Sequence, residues 1–228
     1  MKYKDIIIFD IDRTIYDGSI GQDFILELIN ENVISPKILA NLSFEMLEYE
    51  LDIQNYSKTV NDALKILSNE LKGKEISKIK NIAKRVVQYN HYKFYDFIFE
   101  LPKLYKNFEY VILSLEPQIL VSEISEYLKI PNFVCNEFIE KKEILLGNDK
   151  IYTDKITLLN NSQFIDRNII AAFGDSENDL PILNLAKLKM VINPTENLNK
   201  KIYKNTDFHI SNPKLVSEDF KKYILKFI

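Results

Sequence analysis

The sequence predicts an α/β protein: a three-layer, doubly wound, mostly parallel sheet carrying an inserted all-helical unit. Three observations lead there. Short β-branched runs, apolar throughout, recur along the chain, as strands covered on both faces do. Amphipathic helical patterns lie between several of them. One long stretch, from about residue 18 to residue 101, shows successive helical stripes and no β-branched run at all.

Taken in order, Asp5-Ile6-Ile7-Ile8-Phe9-Asp10 is the first strand, bounded by acids. In the helical stretch, Ser35-Pro36 suits an N-cap followed by a first-turn proline. Val60, Leu64, Leu67 and Leu71 fall at i, i+4, i+7 and i+11, and Gly73 suits a helix stop. Ile76, Ile79, Ala83, Val86 and Val87 make a second apolar face. Further strands are expected at residues 110–113, 169–173 and 190–192, with a weaker one at 133–135. Residues 118–129 carry Ile119, Val121, Ile124 and Leu128 near helical spacing, entered through Pro117. The expected division is a discontinuous core of residues 1–16 and 100–228, with residues 17–99 as the helical insertion.

Composition bounds the function. The 228 residues hold 30 Lys plus Arg against 33 Asp plus Glu, a net charge of −3, so no basic field argues for nucleic acid. The Lys-rich pairs, such as Lys141-Lys142 and Lys200-Lys201, are too short to change that. A single cysteine, Cys135, excludes an intrachain disulfide and a cysteine-rich metal site, and reads as a buried small hydrophobe. No apolar run approaches the roughly 20 residues of a membrane span. Residues 1–10, with Lys2, Lys4 and Asp5, lack the apolar region of a signal peptide, so a cytoplasmic protein without membrane partner is expected.

Two acidic clusters follow expected strands. Asp10-Ile11-Asp12-Arg13-Thr14 stands at the C-terminal end of the first, where ligands bind in open α/β sheets. Carboxylates at i and i+2 on an extended exit offer a nucleophile or metal ligand beside an acid/base group. Alone, that pattern more often marks a solvated turn. Gly174-Asp175-Ser176-Glu177-Asn178-Asp179 follows the run at 169–173, and a helix starting there would put Asp175 and Asp179 on one face toward a hard cation. N-capping is the bland alternative.

Together these segments resemble the haloacid dehalogenase superfamily, in its phosphatase branch with a helical cap after the first motif, as in phosphoserine phosphatases. The first motif is 10–14, the second Ser114, the third Lys155 and the fourth 174–179. Val191-Ile192-Asn193-Pro194 looks like the segment that follows the fourth. The resemblance implies that Asp10 attacks a phosphate monoester to give an aspartyl-phosphate. Asp12 would protonate the leaving oxygen and then deprotonate the hydrolytic water. Ser114 and Lys155 would bind the phosphoryl group. Mg²⁺ would be held by Asp10, Asp175 and the backbone carbonyl of Asp12, with Asp179 supporting the site. The cation and Lys155 answer a physical need, since two unit charges 4 Å apart repel by about 4 kcal/mol at an effective dielectric near 20.

Departures from the branch bear on the substrate. Where phosphoserine phosphatases carry an acid nine positions after the nucleophile, this chain has Ser19, and Glu116 adds a carboxylate to the second motif. Gln22, Asp23 and Arg85 are polar candidates to face the site from the cap. The aromatic stretch Tyr89, Tyr92, Phe94, Tyr95, Phe97 and Phe99 suits hinge and core packing more than a substrate pocket. His91 and His209 have no metal partner at helical spacing. The expected function is a Mg²⁺-dependent phosphatase acting on a small phosphorylated substrate. The alternatives are a phosphotransferase using the same intermediate and a non-catalytic phosphate-ligand binding module.

Overall fold

The computed structural model describes residues 4–148 and 150–227, so Lys2 of the expected leader reading lies outside the described residues. Six strands, β1 (Ile6–Phe9), β2 (Glu109–Pro117), β3 (Asn132–Asn136), β6 (Ile169–Gly174), β7 (Leu188–Ile192) and β8 (Phe208–Ser211), form one sheet in the order β3-β2-β1-β6-β7-β8. Every pairing in it is parallel. β1 is buried along its whole length, which explains its unbroken apolar sequence: Ile7 and Phe9 enter one core, Ile6 and Ile8 the other. Helices α5 (Phe97–Leu104), α6 (Gln118–Leu128) and α10 (Val216–Ile224) contribute to the first core. Helices α7 (Lys155–Asn160), α8 (Leu180–Leu185) and α9 (Glu196–Ile202) contribute to the second. Three layers result.

Between β1 and β2 the chain forms α1 (Ile20–Asn30), α2 (Lys37–Glu50), α3 (Tyr56–Leu71) and α4 (Ile76–Tyr89). The α4 stripe, Ile76, Ile79, Ala83, Val86 and Val87, is buried throughout, and on α3 Leu64, Leu67 and Leu71 are buried while Val60 is half-buried. α2 starts one residue later than its sequence suggests. Pro36 is the residue before its first turn, and the Ser35 hydroxyl accepts from the Lys37 N–H at 3.3 Å. Pro117 likewise precedes α6 and closes β2. α5 runs across the expected boundary between residues 99 and 100.

Three strands escaped the sequence: the edge strand β8, and β4 (Ile139–Lys141) and β5 (Ile144–Gly147), which form an antiparallel hairpin. Its turn, Lys142-Glu143, has φ of 51° and 62°, the left-handed pair of a type I′ turn without the Asn-Gly that announces one. This hairpin grips the helical unit through backbone bonds, Gly73 N–H to Leu145 O at 2.8 Å, Leu145 N–H to Lys74 O at 3.0 Å and Ile76 N–H to Glu143 O at 2.9 Å. Gly73, at φ 79°, supplies the left-handed turn between α3 and α4. Among the described residues no helix is long and apolar enough to cross a membrane.

Candidate active site

Strand register gathers the acids. Phe9 lies beside Ile112 of β2 and Phe173 of β6, and the Asp10 N–H donates to Phe173 O at 3.1 Å. Asp10 follows Phe9 directly, while Ser114, still within β2, and Asp175, just past β6, stand two residues beyond Ile112 and Phe173, so all three gather at one end of the sheet. The chain passes from β1 to β2 on one side and later returns to β6 on the other, which makes this end the crevice where open α/β sheets bind ligands.

Lys155 is the hub. Its ammonium donates to Asp10 Oδ1 and to Asp179 Oδ1, while Thr14 Oγ1 donates to Asp10 Oδ2 at 3.2 Å. Asp154 fixes the start of α7 by accepting the Thr157 N–H at 2.7 Å, which presents Lys155 as the first helical residue. Burial pushes Asp10 up to about 7, with Lys155 pulling down and Asp179 pushing up. Burial likewise lifts Asp175 to about 8, reinforced by Asp10 and Asp179 against Arg13 and Lys155. Burial would lower Lys155, but the Asp10 and Asp179 carboxylates outweigh it and hold the ammonium above its ordinary range.

Asp175 and Asp179 meet by a different route from the helix face expected. Residues 175–179 form a turn, and α8 begins only at Leu180. Asp179 Oδ2 folds back to accept the N–H of Asp175 at 3.1 Å, the N–H of Ser176 at 3.0 Å and Ser176 Oγ at 3.0 Å. Gly174 makes room for this: a Cβ there would lie 2.4 Å from Asp179 Cβ and 2.6 Å from its Cγ. Neither atom is a flexible end, so Gly174→Ala is expected to destabilise by about 1–3 kcal/mol, as overpacking does. Urea unfolding measures it, and an unchanged midpoint would contradict this account of Gly174.

Asp12 sits on the other side of Asp10. Its Oδ1 accepts the Ile20 N–H at 2.8 Å and its Oδ2 the Ser19 hydroxyl at 3.4 Å; Ser19 also caps α1 by accepting from the Gln22 N–H. The Glu116 carboxyl lies within interaction range of Asp12. Enclosure raises the pKa of Asp12, opposed by the Ile20 N–H and Lys155. It raises Glu116 well above the usual range, with the charges of Asp12 and Asp10 adding. Gly21 is what lets Glu116 approach, since a Cβ there would come within 2.3 Å of Glu116 Oε1.

Oxygens of Asp10, Asp175 and Asp179 lie within 4.8 Å of one another, all three residues buried. That donor set suits a hard divalent cation. In the metal-free site Asp179 is held by Lys155 and three other donors, Asp10 by Lys155 and Thr14, and Asp175 by Arg13 through its Oδ2. The Asp12 side chain is not among the clustered oxygens. Ser114 is buried beside them, its Oγ accepting the Glu116 N–H at 3.2 Å.

Other expected residues lie elsewhere. Arg85 pairs with Glu27 and Glu31 on α1, and Gln22 is exposed. Asp23 is held by the Tyr16 hydroxyl and by Lys93 at 2.7 Å. In the aromatic stretch, Phe94 meets Tyr16 edge-on, Phe97 stacks on Phe173, and Tyr89 and Tyr92 are exposed. His91 is exposed and His209 stacks on Tyr223. The residues that sequence reasoning missed are Arg13, Tyr49 and Tyr56. Arg13, at φ 59°, sets its Nε 3.1 Å from Asp175 Oδ2. Its place inside the first motif was the available signal. For Tyr49 and Tyr56, nothing but the N-cap residue Asn55 between them marked a turn facing the site.

Fold and site define an α/β protein whose acidic centre opens beneath a helical insertion. A family model of the haloacid dehalogenase-like hydrolases matches residues 7–184, and the chain belongs to that family. No curated protein matches it in sequence. Among solved structures, a HAD family hydrolase from Salmonella enterica subsp. enterica serovar Typhi superposes with a TM-score of 0.66 at 19% identity, covering 92% of this chain and 69% of that one. A phosphoserine phosphatase carrying a phospho-aspartyl intermediate analogue gives 0.60 at 19%, covering 97% and 99%. Cytosolic 5′-nucleotidase IIIB bound to cytidine gives 0.61 at 16%, covering 98% and 88%. At such identities the likeness establishes the fold.

Proposed function

We propose that the chain is a Mg²⁺-dependent phosphatase that hydrolyses a small phosphate monoester through an aspartyl-phosphate on Asp10, with residues 17–99 as the cap over the site. The observation that carries this is the meeting of Asp10, Lys155 and Asp175 at the ends of the central strands, beside a second acid, Asp12, of raised pKa.

Each group has a task. An Asp10 oxygen attacks phosphorus, the ester P–O bond breaks, and the departing alkoxide takes the proton of Asp12. Asp12, now a carboxylate, removes a proton from water. The water oxygen attacks phosphorus, the bond to Asp10 breaks, and phosphate leaves with Asp10 and Asp12 restored. Lys155 steadies Asp10 before attack and balances phosphoryl charge during it. Ser114 donates to a phosphoryl oxygen. Ile20 N–H and Ser19 aim Asp12, and Asp179 aims Lys155. Asp10 and Asp175 would hold the cation, which supplies positive charge against the phosphate oxygens.

Removing metal tests this in two ways. Phosphate release from 4-nitrophenyl phosphate is expected to stop with chelator and return with Mg²⁺. The second test is protonic. Asp10 and Asp175 have folded pKa values raised from the ordinary 3.8 to about 7 and about 8, so their contribution to metal-free stability is complete at low pH and is lost as pH rises from the ordinary carboxylate range up to those values. A divalent cation takes the ionised pair, so the Tm gained on adding Mg²⁺ is expected to grow between about pH 6 and pH 9. A gain that is flat or falling with pH would contradict the assignment of these two ligands.

A further inference from the structure

The cavity beside Lys155 is larger than the reacting carboxylates require. It measures about 580 Å³ and is walled by Tyr49 and residues 52–57 of the helical unit and, from the core, by Leu115, residues 153–155, Glu177, Asn178 and Pro181. That volume is in the range of cavities that take whole organic ligands, whereas a two-carbon alcohol would leave most of it to water. Its outer wall is held in place: the hairpin β4-β5 bonds to residues 73–76, and Tyr49 Oη donates to Glu177 Oε1 at 3.4 Å across the gap.

Two rings dominate that wall. Tyr49 and Tyr56 meet edge-on, with centroids 5.8 Å apart and planes at 65°. Tyr56 also lines the cavity near the reacting centre, within electrostatic reach of Lys155, Asp10 and Glu116. The charged residues lining the cavity are Asp52, Asp154, Glu177 and Lys155; Glu177 is paired with Lys201 at 3.2 Å, and Lys155 is already engaged by Asp10 and Asp179. An anionic alcohol would meet the carboxylates of Asp52 and Asp154, while the lining cation, Lys155, is already engaged. A flat, uncharged or cationic ring would meet aromatic edges and faces.

We infer that this cavity seats the alcohol portion of the ester and selects alcohols carrying a flat ring without negative charge. The inference rests on the phosphatase reading of the Asp10 centre. Non-hydrolysable ligands separate the two. With Mg²⁺ present, calorimetry should find benzylphosphonate bound about tenfold or more tighter than methylphosphonate, and phosphonoacetate weaker than either. Tyr49→Ala should pull the benzyl-to-methyl ratio toward one, and Tyr49→Phe, which keeps the ring, should preserve it. Equal affinity for the two phosphonates, no binding of either, or a ratio untouched by Tyr49→Ala would overturn the inference. Ethyl and benzyl phosphate, whose alcohols leave with similar ease, complete the separation. Hydrolysis of both at equal kcat/KM overturns the ring preference alone, whereas benzylphosphonate binding without hydrolysis of either ester overturns the phosphatase reading alone.

Discussion

Asp10→Asn is expected to lower phosphate release by about 10⁴-fold or more, the scale on which loss of a covalent nucleophile acts. The amide matches the carboxylate in shape and still accepts from Thr14 or Lys155 through its oxygen, so the fold should persist. What disappears is the anion that attacks phosphorus. Removing that anion also removes its repulsion toward a phosphate ligand, so inorganic phosphate should bind the variant at least as tightly as the parent. A variant that retained turnover would refute Asp10 as nucleophile. Normal phosphate binding without turnover in the parent as well would favour a binding module.

Lys155→Met is expected to damage both chemistry and stability. Lys155 is buried with 7% exposure and lies between Asp10 and Asp179. Its loss leaves two buried carboxylates facing each other without a cation, a change that costs about 3–5 kcal/mol when one partner of a buried pair is removed. Activity should fall by about 10²- to 10³-fold, since a preorganised charge on the phosphoryl oxygens is gone. The sign with pH is fixed. Asp10, already raised to about 7 beside Lys155, rises further without it, so protonation relieves the repulsion as pH falls. Denaturation of the variant and its parent at about pH 8 and about pH 5.5 should therefore show the larger deficit at the higher pH. A larger deficit at low pH would contradict the electrostatic role of Lys155.

These residues were legible because they follow strands that the sequence marks strongly. Three isoleucines and a phenylalanine precede Asp10, and Ile169-Ile170-Ala171-Ala172-Phe173 precedes the acidic turn. A strand buried on both faces writes itself into the sequence, and its C-terminal neighbour inherits the position. β8 did not stand out: Phe208-His209-Ile210-Ser211 at the sheet edge leaves His209 half-buried and Ile210 exposed. The hairpin β4-β5 has one buried apolar side chain, Leu145, and a turn of two non-glycine residues at positive φ. Neither gives period or punctuation to read.

The cap residues were hardest, for a related reason. Gln22, Asp23 and Arg85 sit on helices whose buried faces are apolar, and a polar side chain on the opposite face carries no sign of what it faces. Arg85 turned to α1 because Glu27 and Glu31 are spaced one turn apart there. Tyr49 and Tyr56 reach the cavity from the last turn of α2 and the first residue of α3, across a gap that only the packing of the helical unit on the core creates. The Asp175 to Asp179 contact shows the same limit at short range. Four residues apart was right, but a turn closed on Gly174, not a helix, brings the two together.

The central claim, a phosphoryl group carried on Asp10, is tested most directly by slowing its release. Asp12→Asn should spare the first step with 4-nitrophenyl phosphate, whose leaving group needs little protonation, and stall the second, which needs a base for water. Mixing this variant with the ester and quenching in acid should give one equivalent of nitrophenol and a peptide carrying one phosphoryl group on Asp10. A phosphoryl group on another residue, or steady turnover by the parent with none trapped on Asp10 in the variant, would contradict the mechanism.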